Sequence, residues 1–311
     1  MSSQLLIKHK LDIFEHLTPQ HMKYLFVIYM ALSFSGLLLA QSPPSTDIYV
    51  YELKEKKGKI SITKGENVTR RDGYDNQPFF YRNDYLLYSS YRNGQTDIYA
   101  KDLYTGEEQA ATNTPESEYS PHVIPGFDTF AAVRQDKDGR QRLWLYHLNG
   151  KTKPELILEK VEPVGYFAYN KHNDVLAFVL GEPITLVSAN AMKVYDNIVT
   201  SNVGRTIKVI PGTDDFAFER TEEDGSVIIY NYAVSSGEFQ KIVSKPANAN
   251  DWCITQEGTF ITSVDTKLLA YNPKHHSDWQ EIEDLGEFAK NGISRMAVNQ
   301  DNKRIAIVIN N

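Results

Sequence analysis

Six short stretches of this chain set aromatic rings beside arginines and carboxylates: Arg70-Arg71-Asp72-Gly73-Tyr74, Glu116-Ser117-Glu118-Tyr119, Val164-Gly165-Tyr166, Asn202-Val203-Gly204-Arg205, Asn250-Asp251-Trp252 and Ser294-Arg295. Rings supply contact area and charges supply orientation, and recognition surfaces combine the two. The candidate binding residues are therefore Arg71, Asp72, Tyr74, Glu118, Tyr119, Tyr166, Arg205, Asp251, Trp252 and Arg295. They suit a peptide, a protein loop or a glycan. A competing reading makes Tyr74, Tyr119, Tyr166 and Trp252 packing wedges between repeated units. Hydrolysis or elimination on a carbohydrate or lactone is the alternative chemistry, and it requires Asp72, Glu118 and Asp251 to converge as acids.

Other chemistry lacks its signature. The chain has no Gly-x-Ser-x-Gly elbow, no His-Glu-x-x-His pair, no phosphate loop and no dinucleotide fingerprint. His275 and His276 are adjacent and would face opposite sides of a strand, while His122, His147 and His172 lie 25 residues apart, unlike metal ligands within one element. Asp136-Lys-Asp138-Gly139 and Glu222-Glu-Asp224-Gly225 resemble pieces of a calcium loop but lack its length and terminal Glu, so they read as hairpin turns. Cys253 is the sole cysteine, which rules out an intrachain disulfide and a thiolate zinc cluster; between Trp252 and Ile254 it reads as a buried thiol. No catalytic residue, metal or cofactor is assigned.

The positions so singled out need a scaffold, and the composition describes one. Of 311 residues, 41% are hydrophobic and 12% aromatic, with 19 Tyr and 14 Phe, a bias toward strand-forming side chains. The formal net charge is −7 with both signs interspersed, which argues against nucleic acid as a partner, because phosphate binding relies on clustered Lys and Arg.

A repeat near 44 residues runs through the chain. Tyr85-Leu-Leu-Tyr-Ser, Thr129-Phe-Ala-Ala-Val, Val175-Leu-Ala-Phe-Val, Asp215-Phe-Ala-Phe-Glu, Thr259-Phe-Ile-Thr-Ser and Ile305-Ala-Ile-Val-Ile start 44, 46, 40, 44 and 46 positions apart. A turn signal precedes each, and an apolar strand precedes the turn. Asn93-Gly94, Asp138-Gly139 and Asp224-Gly225 then stand where a two-residue hairpin needs positive φ. A third strand follows, almost literally repeated in Thr46-Asp47-Ile48-Tyr49 and Thr96-Asp97-Ile98-Tyr99, and Gly106, Gly150 and Gly237 turn the chain into a fourth. Four strands per 40–50-residue repeat is the blade of a β-propeller. The first repeat lacks its two leading strands, and the chain finishes with such a pair, Ser294 to Val298 and Arg304 to Ile309. The fold expected is an all-β, six-bladed propeller over residues 46–311, closed by the two ends sharing one blade.

The run Gly73-Tyr-Asp-Asn-Gln-Pro-Phe-Phe, continued by Tyr85 to Tyr99 and Asp102-Leu-Tyr-Thr-Gly-Glu, resembles one complete WD40-like repeat of the TolB-like propellers, and residues 115–150 resemble a second. In later blades the family's Ser-Pro-Asp-Gly turn survives only in forms such as Pro125-Gly126-Phe127-Asp128. The resemblance implies a periplasmic or secreted protein that binds a protein, peptide or small molecule at a propeller face. Residues 1–41 agree with that location: after Met22 and Lys23, the apolar run Tyr24 to Phe34 and then Ser35 to Ala40 have the order of a signal peptide cleaved after Ala40. Translation starting at Met22 accounts most simply for the residues upstream. An uncleaved anchor is the other reading of the apolar run; a lipoprotein is excluded because no cysteine follows it. The expectation is a monomeric binding module for a protein or peptide of the cell envelope, with a glycan as a further option.

Overall fold

The computed structural model describes residues 42–148, 150 and 152–311. The expected signal peptide lies outside the described residues. No helix among the described residues is long and apolar enough to cross a membrane.

Among the described residues, twenty-four strands form six four-stranded antiparallel sheets. The closing blade takes β1 (Thr46–Lys56) and β2 (Lys59–Asn67) from one end of the described chain and β23 (Ile293–Val298) and β24 (Arg304–Asn310) from the other, in the order β2-β1-β24-β23. The next two blades are β3 (Asp75–Phe80), β4 (Tyr85–Arg92), β5 (Gln95–Asp102) and β6 (Glu108–Ala110), then β7 (Ser117–Val123), β8 (Thr129–Gln135), β9 (Gln141–His147) and β10 (Glu155–Ile157). The last three are β11 (Val164–Tyr169), β12 (Asp174–Val179), β13 (Thr185–Asn190) and β14 (Lys193–Ser201); β15 (Val203–Val209), β16 (Phe216–Thr221), β17 (Val227–Ala233) and β18 (Glu238–Ser244); and β19 (Trp252–Ile254), β20 (Phe260–Val264), β21 (Lys267–Tyr271) and β22 (Gln280–Asp284). The six-bladed propeller and its shared closing blade are as the repeat predicts.

Burial falls across each blade. Second strands are buried on both faces, as Phe130 to Val133, Val175 to Phe178 and Ile305 to Ile309 show, whereas the fourth strand β6 is wholly exposed. Period-two alternation sends successive side chains of a second strand to opposite neighbours. Phe130 and Ala132 pack with Leu87, Ile98 and Tyr146, while Ala131 and Val133 pack with Val164, Phe167 and Val175. The same rule sends Ile305, Ile307 and Ile309 to one side of the closing blade and Ala306 and Val308 to the other. Six apolar clusters result, one between each pair of neighbouring blades.

The hairpin turns differ from expectation in detail. Asn93-Gly94 has both residues at positive φ, the two-residue type expected. At Asp138-Gly139 and Asp224-Gly225 only the glycine has positive φ, and the loops close instead through Asp136 N–H to the Arg140 carbonyl and Glu222 N–H to the Ser226 carbonyl, both at 2.8 Å. These are three-residue loops with a left-handed glycine last, which an Asp-Gly pair serves equally well.

Candidate functional site

One strand from each blade, β3, β7, β11, β15, β19 and β23, lines a central cavity of about 600 Å³. Its two halves differ in chemistry. From three consecutive blades come Phe79, His122 and Phe167, with ring centroids 4.3 Å and 5.7 Å apart along the series. From the other three come Arg205, Lys208 and Arg295, with Asp251. Among the described residues, Asp251 is the lone Asp or Glu in the lining.

Asp251 is built into the wall. One carboxylate oxygen accepts from the Thr206 hydroxyl at 2.5 Å and the other from the Met296 backbone N–H at 3.2 Å. Burial opposes its charge, but Lys208, Arg295, the Thr206 hydrogen bond and Arg205 together outweigh burial and hold its pKa below the ordinary value. His122 goes the other way. Burial, reinforced by Lys208, lowers it to about 3, so the imidazole is neutral near neutral pH and belongs with the aromatic wall. Burial likewise pushes the Cys253 thiol to about 12, which makes it an inert part of the lining.

Arg295 reaches across the axis, donating to the Tyr166 hydroxyl at 3.1 Å with its guanidinium carbon 5.4 Å from that ring's centroid. It also donates to the Ser294 carbonyl at 2.7 Å, and Arg205 donates to the same oxygen at 3.3 Å. Tyr74 belongs to this neighbourhood: burial raises its hydroxyl pKa, and the charges acting on it include Arg295 and Arg205, with the Tyr166 and Tyr119 hydroxyls nearby.

Of the ten sequence candidates, Tyr166, Arg205, Asp251 and Arg295 line the cavity, and Tyr74 and Tyr119 stand beside them. The other four are elsewhere. Trp252 is fully buried between blades, its indole N–H donating to Glu219 at 2.9 Å, and Glu219 is paired with Lys245 at 2.6 Å. Arg71 turns inward to the buried Asp75, and Asp72 is exposed outside the cavity. Glu118 is fully buried, accepting from the Thr114 and Tyr146 hydroxyls on one carboxyl oxygen. The expected convergence of Asp72, Glu118 and Asp251 is therefore not met, because only Asp251 reaches the axis. Phe79, Phe167 and Lys208 were missed: they lie inside strands rather than in the loops before them. The one available signal was Lys208, a lone cation in the apolar run Thr206 to Val209.

Glu118 carries a separate consequence. Burial raises its carboxyl from 4.5 to about 7, against hydrogen bonds from Thr114 and Thr112 and with the Asp97 charge adding to the rise. A carboxyl whose folded pKa is raised contributes stability below its unfolded pKa and loses it as pH climbs through the folded value. Glu118→Gln keeps the hydrogen-bonding oxygen without the charge. It should stabilise the protein by about 3 kcal/mol at pH 8 and flatten the fall in stability between pH 5 and 7. Urea melts across that range check this, and parallel curves for the two proteins would refute it.

No protein-family model matches the chain, and no curated protein matches it in sequence. Solved structures do match by shape. A protein of Agrobacterium tumefaciens assigned as TolB aligns over 86% of this chain and 99% of its own, with TM-score 0.66 and 13% identity. TolB from Acinetobacter baumannii aligns over 84% of this chain with TM-score 0.57 and 11% identity, and this chain spans 63% of its length. An oligogalacturonate lyase in complex with manganese aligns over 81% of this chain and 83% of its own, with TM-score 0.56 and 12% identity. A manganese site needs several converging donors. Among the described residues no three His, Cys, Asp or Glu side chains group in that way, so the donor set does not fit the metal. By fold, this chain is a TolB-like six-bladed β-propeller.

Proposed function

We propose that the protein is an exported, non-catalytic propeller that captures a protein or peptide partner of the cell envelope at its axial rim. The observation that carries this reading is the axial cavity in which Tyr166, Arg205 and Arg295 meet, with Tyr74 and Tyr119 close by. Aromatic and arginine anchors at a concave site are what alanine scans of interfaces find to dominate binding. The TolB-like fold and the signal-like order of residues 22–40 support an envelope setting. A hydrolase or lyase working through axial carboxylates would need a second acid beside Asp251, and the lining provides Asp251 alone.

The test is affinity capture from envelope extract with the exported protein as bait, comparing wild type with Tyr166→Ala and Arg295→Ala. Each substitution should cut partner recovery at least tenfold, on the order of 1.4 kcal/mol or more of binding energy, with melting temperatures close to wild type. Recovery unchanged in both would move the partner to the outer strand edges.

A further inference from the structure

The two walls of the axial cavity specify a ligand chemistry more closely than the rim does. We propose that the partner inserts an acidic peptide segment carrying an aromatic or large aliphatic side chain, its carboxylates meeting Arg205, Lys208 and Arg295 and its apolar group lying on Phe79, His122 and Phe167. This rests on the axial-capture reading.

The charge argument comes first. Three cations face one carboxylate, and both oxygens of that carboxylate are already engaged by Thr206 and Met296. Arg205 and Arg295 spend their hydrogen bonds on one carbonyl and one tyrosine hydroxyl, leaving N–H groups unused. Lys171, at the far end of the cavity, is by contrast neutralised by Asp214 at 3.2 Å. The chain as a whole is acidic, at −7, so this is a local inversion of sign. Like charges gathered along one wall repel one another, and an incoming anion relieves that repulsion. Arginine forks favour carboxylates that accept two parallel N–H bonds. A surplus of two positive charges calls for more than one acidic group.

The opposite wall favours an apolar group, with the Ser120 hydroxyl the one buried side-chain oxygen of the lining that has no partner among the described residues. His122 is uncharged, and Phe79 and Phe167 flank it. The Gln77 side-chain oxygen, which could have served a ligand there, already accepts from Ser89 at 2.7 Å and from the Ser120 backbone at 2.9 Å. A sugar acid would satisfy the cationic wall but would leave most of its hydroxyls unpaired against the rings, and a buried hydroxyl without a partner weakens binding. An apolar side chain has no such debt. The volume, about 600 Å³, is in the usual range of about 300–1,000 Å³ for ligand sites and admits side chains of a short segment rather than a folded domain.

The experiment is a selection of displayed random heptapeptides on the purified exported protein, followed by affinity measurement of the enriched sequences as synthetic peptides. Enriched peptides should hold at least two acids next to an aromatic or large aliphatic residue. Their affinity should fall at least tenfold on Lys208→Gln, on Arg295→Gln and between 50 and 300 mM salt, whereas Lys208→Arg should retain it. Phe79→Ala tests the aromatic wall, with melting curves confirming that each variant folds. Enrichment of peptides without acids, no enrichment at all, or tight binding of a uronic acid disaccharide in their place would overturn the proposal. Failure of the axial-capture reading looks different: recovery of the extract partner would then survive Phe79→Ala, Tyr166→Ala and Arg295→Gln alike. If Phe79→Ala abolishes recovery and Lys208→Gln and Arg295→Gln leave it intact, axial capture stands and the acidic class falls.

Discussion

Deleting residues 303–311, and with them β24, is expected to abolish cooperative folding rather than to trim an end. The strand carries Ile305, Ala306, Ile307, Val308 and Ile309, each at most 2% exposed. Burial of its four large side chains alone is worth roughly 6–12 kcal/mol at about 1.5–3 kcal/mol each. That is the whole stability of an ordinary domain, about 5–15 kcal/mol. The strand also joins the two ends of the described chain: Thr46 to Glu52 pair with Asn310 to Arg304 on one edge, and Ile293 to Val298 pair with Ile309 to Ile305 on the other. Its loss frees β1 and β23 together and opens the ring between two apolar clusters. Circular dichroism melts should show no sigmoidal transition in the truncated protein; a cooperative melt near the wild-type temperature would mean that the ring closes without this strand.

Replacing Arg71 by methionine should cost about 3–5 kcal/mol, the loss seen when one partner of a buried ion pair is removed. Its Nε lies 3.0 Å from the carboxylate of Asp75, whose side chain is fully buried. The rest of the guanidinium donates to the carbonyls of Asp72, Tyr74 and Tyr91 and to the Ser90 hydroxyl, at 2.8–3.1 Å. Burial already holds the Asp75 carboxyl above its ordinary pKa, against the opposing pull of Ser90 and Arg71. Without Arg71 that pKa climbs further. The sign then follows: a raised folded pKa gives stability that is kept at low pH and lost as pH rises, so the deficit of the variant should be largest at pH 7 and shrink toward pH 4. Asp75→Asn in the Arg71→Met background should recover part of the loss. Urea denaturation at both pH values decides it, and a deficit under 1 kcal/mol at pH 7 would make Arg71 a surface residue in energetic terms.

Both predictions turn on how far the one-dimensional pattern reaches. The second strands were legible because neighbouring blades bury both their faces, which leaves continuous apolar runs such as Leu86 to Tyr88 and Phe216 to Phe218 that no exposed strand would carry. The closing blade was legible by counting, since a missing half at the start matched a spare half at the end. The blade of β11 to β14 lacked a recognisable third strand: β13, Thr-Leu-Val-Ser-Ala-Asn, has neither the tyrosine nor the Thr-Asp opening of the strands that define the repeat elsewhere.

The site was legible only to the level of the loop. Inner strands are where the sequence loses track of direction, because β3, β7, β11, β15 and β23 each carry a register shift between their first residues and their middle. A bulge inserts an extra residue and reverses which side chains face the axis. In β3 and β7 the shift spans Gln77 and Ser120, both at positive φ, so that Phe79 and His122 end up facing the channel while Glu118 remains buried with Tyr146. Parity counted from the loop therefore misplaces what lies beyond a one-residue shift, as in β3, β7, β11 and β23, whereas the two-residue shift in β15 leaves the parity unchanged.

What the sequence by itself determined is the repeat, the number of blades, the way the ring closes and the acidic character of the chain. Those follow from local propensity and periodicity, which each stretch of residues carries within itself. The tertiary structure alone decided that an arginine and a glutamate from the same kind of loop become a buried clamp and a buried proton site, while a lysine from mid-strand becomes part of the cavity wall. That division depends on bulge positions and on six strands whose starts lie 39–49 residues apart meeting at one axis. Charge and shape at the axis are sums over distant parts of the chain, and no single segment contains them.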